Sequence, residues 1–188
     1  MTSGRPYIVG LGGATHANSS TERFLRLALE AAQAAGASTS LLGAQALQVP
    51  MYRHGVAQEP QVASLVSELR RADGFVIASP GYHGTVSGLV KNALDYAEET
   101  SGDERPYFSG RAAGCMAVAS GWQAAVSTMG SLRGIVHALR GWPTPLGIAI
   151  NSTEHLMTAD GRCESAQLAV QIQTMARQVV EFAALNRR

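Results

Sequence analysis

Three short segments hold most of the residues in this chain that could do chemistry. The first reads Gly12-Gly13-Ala14-Thr15-His16-Ala17-Asn18-Ser19-Ser20-Thr21 and runs into an amphipathic stretch. Small side chains leave backbone N–H groups accessible, and a helix starting there would aim its positive dipole end into the loop, which favours an anion. Thr15, Ser19, Ser20 and Thr21 add hydroxyl donors, with Gly13, His16 and Asn18 as further candidate contacts. His16 is equally suited to solvent. The plainer alternative is an N-cap at Ser19 or Ser20 with Glu22 in the first turn. The second segment runs from Ser79 to Tyr96 and opens Ser79-Pro80-Gly81-Tyr82-His83-Gly84-Thr85. Glycines let backbone amides approach the edge of a flat ring, and Tyr82 can stack on one or wall its pocket. The third reads Ala119-Ser120-Gly121-Trp122-Gln123. The plainer reading of Trp122 is a side chain packed under a loop or in a dimer interface.

The letters discriminate among phosphate ligands. A Walker loop needs Gly-Lys-Ser/Thr, and the only lysine is Lys91. A dinucleotide fingerprint needs a glycine where Thr15 stands, in Gly10-x-Gly12-x-x-Thr15, and an acid near the end of the second strand. No Asp or Glu occurs between Glu30 and Glu59. A monophosphate held by hydroxyls and amides, as in FMN, suits the residues better. Gly-x-Ser-x-Gly is absent, which argues against an α/β-hydrolase. His54, His137 and His155 have no ligand spacing, so no metal is expected. Cys115 reads as a packed residue in an apolar strand, and Cys163 has no activating motif beside it. Lys91 and Asp95, spaced i, i+4, read as an ion pair.

The elements that must position these segments alternate. Strands are expected at Tyr7 to Leu11, Ser38 to Leu42, Gly74 to Ser79, Arg111 to Ala119 and Thr144 to Ile150. Helices are expected at Ser20 to Ala35, Gln61 to Arg71, Ser87 to Glu98, Ala124 to Leu139 and Ser165 to Leu185, from apolar residues at helical spacing. Leu47 to Pro60 and Glu99 to Gly110 read as surface excursions. Such alternation predicts an α/β fold of parallel βαβ units, a flavodoxin-like three-layer sandwich around a five-stranded parallel sheet of order 2-1-3-4-5. Ligands in such sheets bind beyond the carboxyl ends of the strands, where all three segments fall.

Ser79 to Tyr96 resembles the signature of the NADPH-dependent FMN reductase family, Ser-Pro-Glu-Tyr-Asn-Gly-Ser followed by a Lys-Asn-Ala-Leu-Asp helix. Gly12 to Thr21 resembles that family's Gly-Ser-x-Arg-x-x-Ser loop. Ala119 to Gln123 falls where the family has a Gly-rich segment that contacts the flavin ring, which implies amides from Ser120 and Gly121 to the ring and Trp122 and Gln123 along its edge. Length, element order and an Asp160-Gly161-Arg162 turn extend the likeness over most of the chain. Gly81 stands where the family has Glu, His83 where it has Asn, and Thr15 where better-known members place Arg. The resemblance implies FMN as cofactor and NADPH or NADH as co-substrate, with hydride passing to flavin N5 and electrons then reaching free flavin, a quinone or another small acceptor in a ping-pong cycle. It implies no protein acid or base, because the flavin carries the chemistry. It also implies a homodimer or homotetramer, through the helix holding Gly130 and Gly134, and a flavin-dependent monooxygenase is a conceivable partner. An electron carrier without its own NAD(P)H reaction, or a flavin-free member with a decayed pocket, are the alternatives.

Composition sets the outer bounds. The chain of 188 residues, 46% hydrophobic and 15% charged, suits one folded domain over residues 1–188 and excludes a disordered chain. A net charge of +1 offers no basic field for nucleic acid, and carriers usually show a strongly acidic docking face. No apolar run nears the ~18 residues of a membrane span, no secretory signal is visible, and two distant cysteines suit a reducing cytoplasm.

Overall fold

The computed structural model describes residues 4–55, 59–158 and 161–186. Parallel strands β1 (Tyr7–Gly12), β2 (Ser38–Leu42), β3 (Gly74–Tyr82) and β5 (Ala112–Ala119) pair in the order β2-β1-β3-β5. The last position is filled by two short pieces, β6 (Trp142–Pro143) and β7 (Ile148–Asn151), both parallel to β5. The expected order 2-1-3-4-5 therefore holds, with the fifth strand split.

Prolines at 143 and 145 explain the split, since neither can donate to a ladder. Between Ala113 and Met116 on β5 the partner chain runs from Pro143 to Ile148, so extra residues bulge out. Neighbouring helices satisfy the bulge: Arg133 donates to the Thr144 carbonyl at 2.6 Å, and the Leu146 N–H donates to Gln178 at 3.2 Å.

Alternation along the strands divides the core into two layers. Val9, Leu11, Phe75 and Ile77 face α2 (Pro60–Arg71), α3 (Gly88–Asp95) and α4 (Trp122–Ala138). Ile8, Val76, Ala78 and Met116 face α1 (Ser20–Ala34) and α5 (Ala166–Asn186). The three-layer sandwich is thus formed as expected.

Local boundaries shift for identifiable reasons. Ser87 caps α3 by accepting from the Val90 N–H at 3.2 Å, so that helix starts at Gly88, and its tail tightens into a 3-10 helix at Tyr96–Thr100. α4 starts at Trp122, which puts Trp122 and Gln123 on the helix rather than in the loop before it. Strand β3 overruns Ser79 and turns back as a hairpin with β4 (Thr85–Val86). The two excursions carry apolar anchors: Leu47 and Phe108 are fully buried, Phe108 stacked on Phe75. No helix among the described residues is long and apolar enough to cross a membrane.

Candidate functional site

Three loops leave one end of the sheet side by side. β1 ends at Gly12, paired with Ala78 of β3, and β5 ends at Ala119, paired with Asn151 of β7. Gly12 sets the first exit. A Cβ there would lie 2.1 Å from the Ala78 carbonyl oxygen, so only glycine lets the strands stay paired while the chain turns away.

In the first loop Ser19 is the N-cap of α1. Its Oγ accepts from the N–H groups of Ala14 at 3.2 Å and Glu22 at 3.3 Å. The capping alternative is therefore real, and it leaves the Ser19 hydroxyl proton to donate. Ser20 and Thr21, in the first turn, have no intrahelical acceptor for their N–H groups. Thr15, His16, Asn18 and Ser20 are exposed, while Thr21 is buried. Beneath them lies Glu22, only 3% exposed. Burial raises its carboxyl, but the Ala44 N–H at 3.1 Å, the Arg26 guanidinium at 2.6 Å and the Asn18 amide outweigh burial and hold it below the usual glutamate value. Gln48 reaches back to the Thr15 carbonyl at 3.1 Å, tying the loop after β2 to this one.

The second loop is a tight hairpin. Tyr82 pairs with Thr85, and His83 and Gly84 between them have φ of 52° and 86°. Two successive positive φ values are those of a type I′ turn, which favours Asn-Gly and accepts His at its first central position more readily than most residues. Helix α4 clamps the hairpin: Ser127 donates to the Gly84 carbonyl at 2.6 Å and Thr128 to that of Thr85 at 3.2 Å. Gly81 packs directly on this clamp, since a Cβ there would come 2.6 Å from Thr128 Oγ1. Behind the hairpin, Ser79 Oγ accepts from the Ser87 N–H at 3.0 Å. Tyr82 at the hairpin and Trp122 at the start of α4 are each 51% exposed.

In the third loop the Gly121 N–H is engaged twice, by the Ala119 carbonyl at 3.0 Å and by Asn151 Oδ1 at 2.9 Å. It is thus not a spare donor for a ring. Asn151 also accepts from the Thr153 N–H at 3.2 Å and donates to Glu154 at 3.2 Å. Ser120 lies 3.5 Å from Ser152, hydroxyl to hydroxyl.

Sequence reading missed Asn151, whose signal was a lone amide at the end of an expected strand. It also missed Asn92. That residue donates to the Pro50 carbonyl at 2.9 Å and accepts from the Tyr52 N–H at 2.9 Å, stapling the loop after β2 onto α3. Lys91 and Asp95 form the expected exposed pair at 2.5 Å. Burial pushes the Cys115 thiol up to about 12, in keeping with a packed residue. Of the Asp160-Gly161-Arg162 turn, Asp160 lies outside the described residues, and the Gly161 N–H donates to the Thr158 carbonyl at 3.1 Å.

The family profile described as NADPH-dependent FMN reductase matches residues 6–155, which carry all three loops. The chain belongs to the NADPH-dependent FMN reductase family. A stretch of 99 residues is 33% identical to the FMN-dependent NADPH-azoreductase of Staphylococcus saprophyticus, covering 52% of this chain and 48% of that protein. The chain thus spans about half the length of that relative. The flavoenzyme NAD(P)H:(acceptor) oxidoreductase FerB from Paracoccus denitrificans superposes with a TM-score of 0.81 at 17% identity, over 96% of this chain and 98% of that one. NADH:FMN oxidoreductase (EMOB) superposes with a TM-score of 0.70 at 19% identity, over 93% and 90%. These two likenesses show the flavodoxin-like fold.

The structure bears on two of this chain's departures from the family pattern. His83 keeps the type I′ turn that Asn-Gly would make. Gly81 leaves no room for a larger residue unless α4 withdraws, because Thr128 fills that space. The donor set fits FMN: a monophosphate would meet the Ser20 and Thr21 amides and exposed hydroxyls at a helix N-terminus, and a flat ring would meet Tyr82 and Trp122.

Proposed function

We propose that this protein is an NAD(P)H-dependent FMN oxidoreductase. The observation that carries the reading is the convergence of the capped α1 N-terminus, the clamped His83–Gly84 hairpin and the β5–α4 loop at one end of the sheet. Thr15, Asn18, Ser19, Ser20 and Thr21 would hold the phosphate, with Gly13 and His16 beside it. Pro80 to Thr85 and Ser120 to Gln123 would border the ring. Bound FMN would supply the hydride chemistry between the nicotinamide and a second substrate. The protein's own work is to orient: Ser127 and Thr128 fix the hairpin, and Asn151 fixes Gly121. One open site serving reductant and acceptor in turn supports a ping-pong cycle. Free flavin, a quinone or an azo compound are acceptor classes, the last supported by the azoreductase relative. The exposed Val126, Gly130 and Gly134 face of α4 supports a homodimer or homotetramer, the two free cysteines suit a reducing cytoplasm, and released reduced flavin would serve a flavin-dependent monooxygenase.

The test is a visible spectrum of the purified protein with and without FMN, followed by anaerobic NADPH and NADH. Flavin bands that bleach on adding reductant are the expected result. Bands that persist with both reductants would indicate a carrier, and absence of binding would overturn the site.

A further inference from the structure

Beyond the ring loops, at the β7 edge of the sheet, lies a separate cavity of about 340 Å³. Ligand clefts start at roughly 300 Å³, so this one holds a nucleoside-sized fragment rather than a whole dinucleotide. Among its lining residues are Trp122, Ile148, Glu154, Gln167, Leu168 and Gln171. Trp122 connects the two places, because it directly follows Gly121 and half of its surface is exposed. Half-buried Ala149 and Leu156 give the lining its accessible apolar surface, with Ile148 and Leu168 buried behind them. Glu154 accepts from Asn151 through Oε1 at 3.2 Å, which leaves its second oxygen for another donor. Gln167 and Gln171 each carry a carboxamide that can donate and accept. No lysine or arginine lines the cavity among the described residues.

This chemistry selects its ligand. An indole face beside apolar side chains suits a flat heteroaromatic ring, and carboxamides suit that ring's polar edge. A carboxylate in a lining that holds no lysine or arginine accepts from neutral hydroxyls and repels phosphate. That is the way an acid reads the ribose 2′-hydroxyl in dinucleotide folds. We propose that this cavity takes the adenosine half of the reductant, with the base against Trp122 and the ribose hydroxyls on Glu154, so that NADH is preferred to NADPH. The inference rests on the reductase reading and adds the reductant's site and identity to it.

The experiment begins without flavin, so that its failure is separable from failure of that reading. Adenosine 5′-monophosphate and adenosine 2′,5′-bisphosphate are titrated into the flavin-free protein in a Trp142→Phe background, where indole fluorescence reports Trp122 alone. Saturable quenching by the monophosphate is expected, with the bisphosphate about tenfold weaker, the factor that ~1.4 kcal/mol of repulsion produces. Glu154→Gln keeps the Asn151 contact and removes the charge. It should shrink that gap to about threefold or less and move the KM ratio of NADH to NADPH the same way. Gln171→Leu should weaken both ligands alike without changing the preference. Absent quenching, or equal binding of both ligands unaltered by Glu154→Gln, overturns the proposal even if NADH still bleaches FMN. Binding of the monophosphate with no bleaching by either reductant keeps the nucleoside site and overturns the reductase reading.

Discussion

The two ends of the sheet are built from the same strands and treat polar groups in opposite ways. At the amino end Arg111 is 1% exposed, and its guanidinium donates to the carbonyls of Leu69 at 2.7 Å, Tyr107 at 3.0 Å and Arg105 at 3.2 Å. Burial and the neighbouring Arg105 charge lower its pKa to about 10, against the raising effect of Asp73 and Asp103, so it stays charged at neutral pH. Asp73 accepts from the Tyr7 N–H at 2.9 Å, and the Tyr7 hydroxyl donates to Glu68. At the carboxyl end Thr15, Asn18 and Ser20 are exposed at a helix N-terminus, and Tyr82 and Trp122 present half their surface. The closed end holds more charge and the open end holds more unspent donors. What marks the candidate binding end here is polar capacity left over after folding, not charge.

The sharpest way to break the contrast is at the closed end. Arg111→Met would leave three carbonyls short of a donor, a loss of about 3 kcal/mol that urea unfolding should read as a lower midpoint. FMN affinity of the folded variant should stay within about twofold, because the sites are distant and independent. A stable Arg111→Met, or one that loses FMN while folded, would mean the two ends are not separate in kind.

The next effect lies at the open end. Gly81→Glu installs the residue of the family pattern where Thr128 Oγ1 would sit 2.6 Å from the new Cβ. Overpacking of this sort costs about 1–3 kcal/mol. Thr128→Ala alone should cost less, and the double variant should recover part of the Gly81→Glu loss. A thermal-denaturation double-mutant cycle measures that coupling. Strict additivity would show that Gly81 and Thr128 are not partners. FMN affinity should fall with Gly81→Glu more than stability does, unlike at Arg111.

These contrasts were only partly legible in the letters. Strand order and the helices on both faces could be read because β1 and β3 are short continuous apolar runs and apolar residues recur at helical spacing in α1 and α2. The hydroxyl-rich loop at the α1 N-terminus was legible from Gly12 to Thr21 because its composition is local. The split fifth strand was not read, although Pro143 and Pro145 carried the signal, because the run Leu146 to Ile150 looks like a continuous strand. The hairpin was hidden because His83-Gly84 lacks the usual Asn. Asn92 and Asn151 were invisible as staples, since their partners lie 42 and 30 positions away. Long-range hydrogen bonds leave no periodicity to find.

The turn itself offers a smaller perturbation. Valine at 83 would hold a β-branched side chain at φ 52°, a cost of about 1–2 kcal/mol. Asn should be neutral or slightly stabilising. Amide hydrogen exchange across Tyr82–Thr85 should quicken in His83→Val and not in His83→Asn. Equal exchange in the two variants would mean that Ser127 and Thr128 alone hold the hairpin, and that turn chemistry contributes nothing.

The smallest effect is the most specific to the open end, where Glu22 is a buried carboxylate under the candidate phosphate loop. Its folded pKa lies below the usual glutamate value, so the stability it contributes is fully present above about pH 4.3 and is lost as pH falls through the folded value. Glu22→Gln should cost about 1 kcal/mol near neutrality, because a charge-assisted bond to the Ala44 N–H becomes an ordinary one. As pH falls from about 4.3 through the folded value, the variant and the parent should converge in urea midpoint. The same substitution removes a negative charge from beneath the α1 N-terminus. It should therefore tighten FMN or inorganic phosphate while loosening the fold, a trade that no change at Arg111 should produce. If Glu22→Gln weakens both, the carboxylate is needed to shape the loop, and its charge is not what opposes the anion.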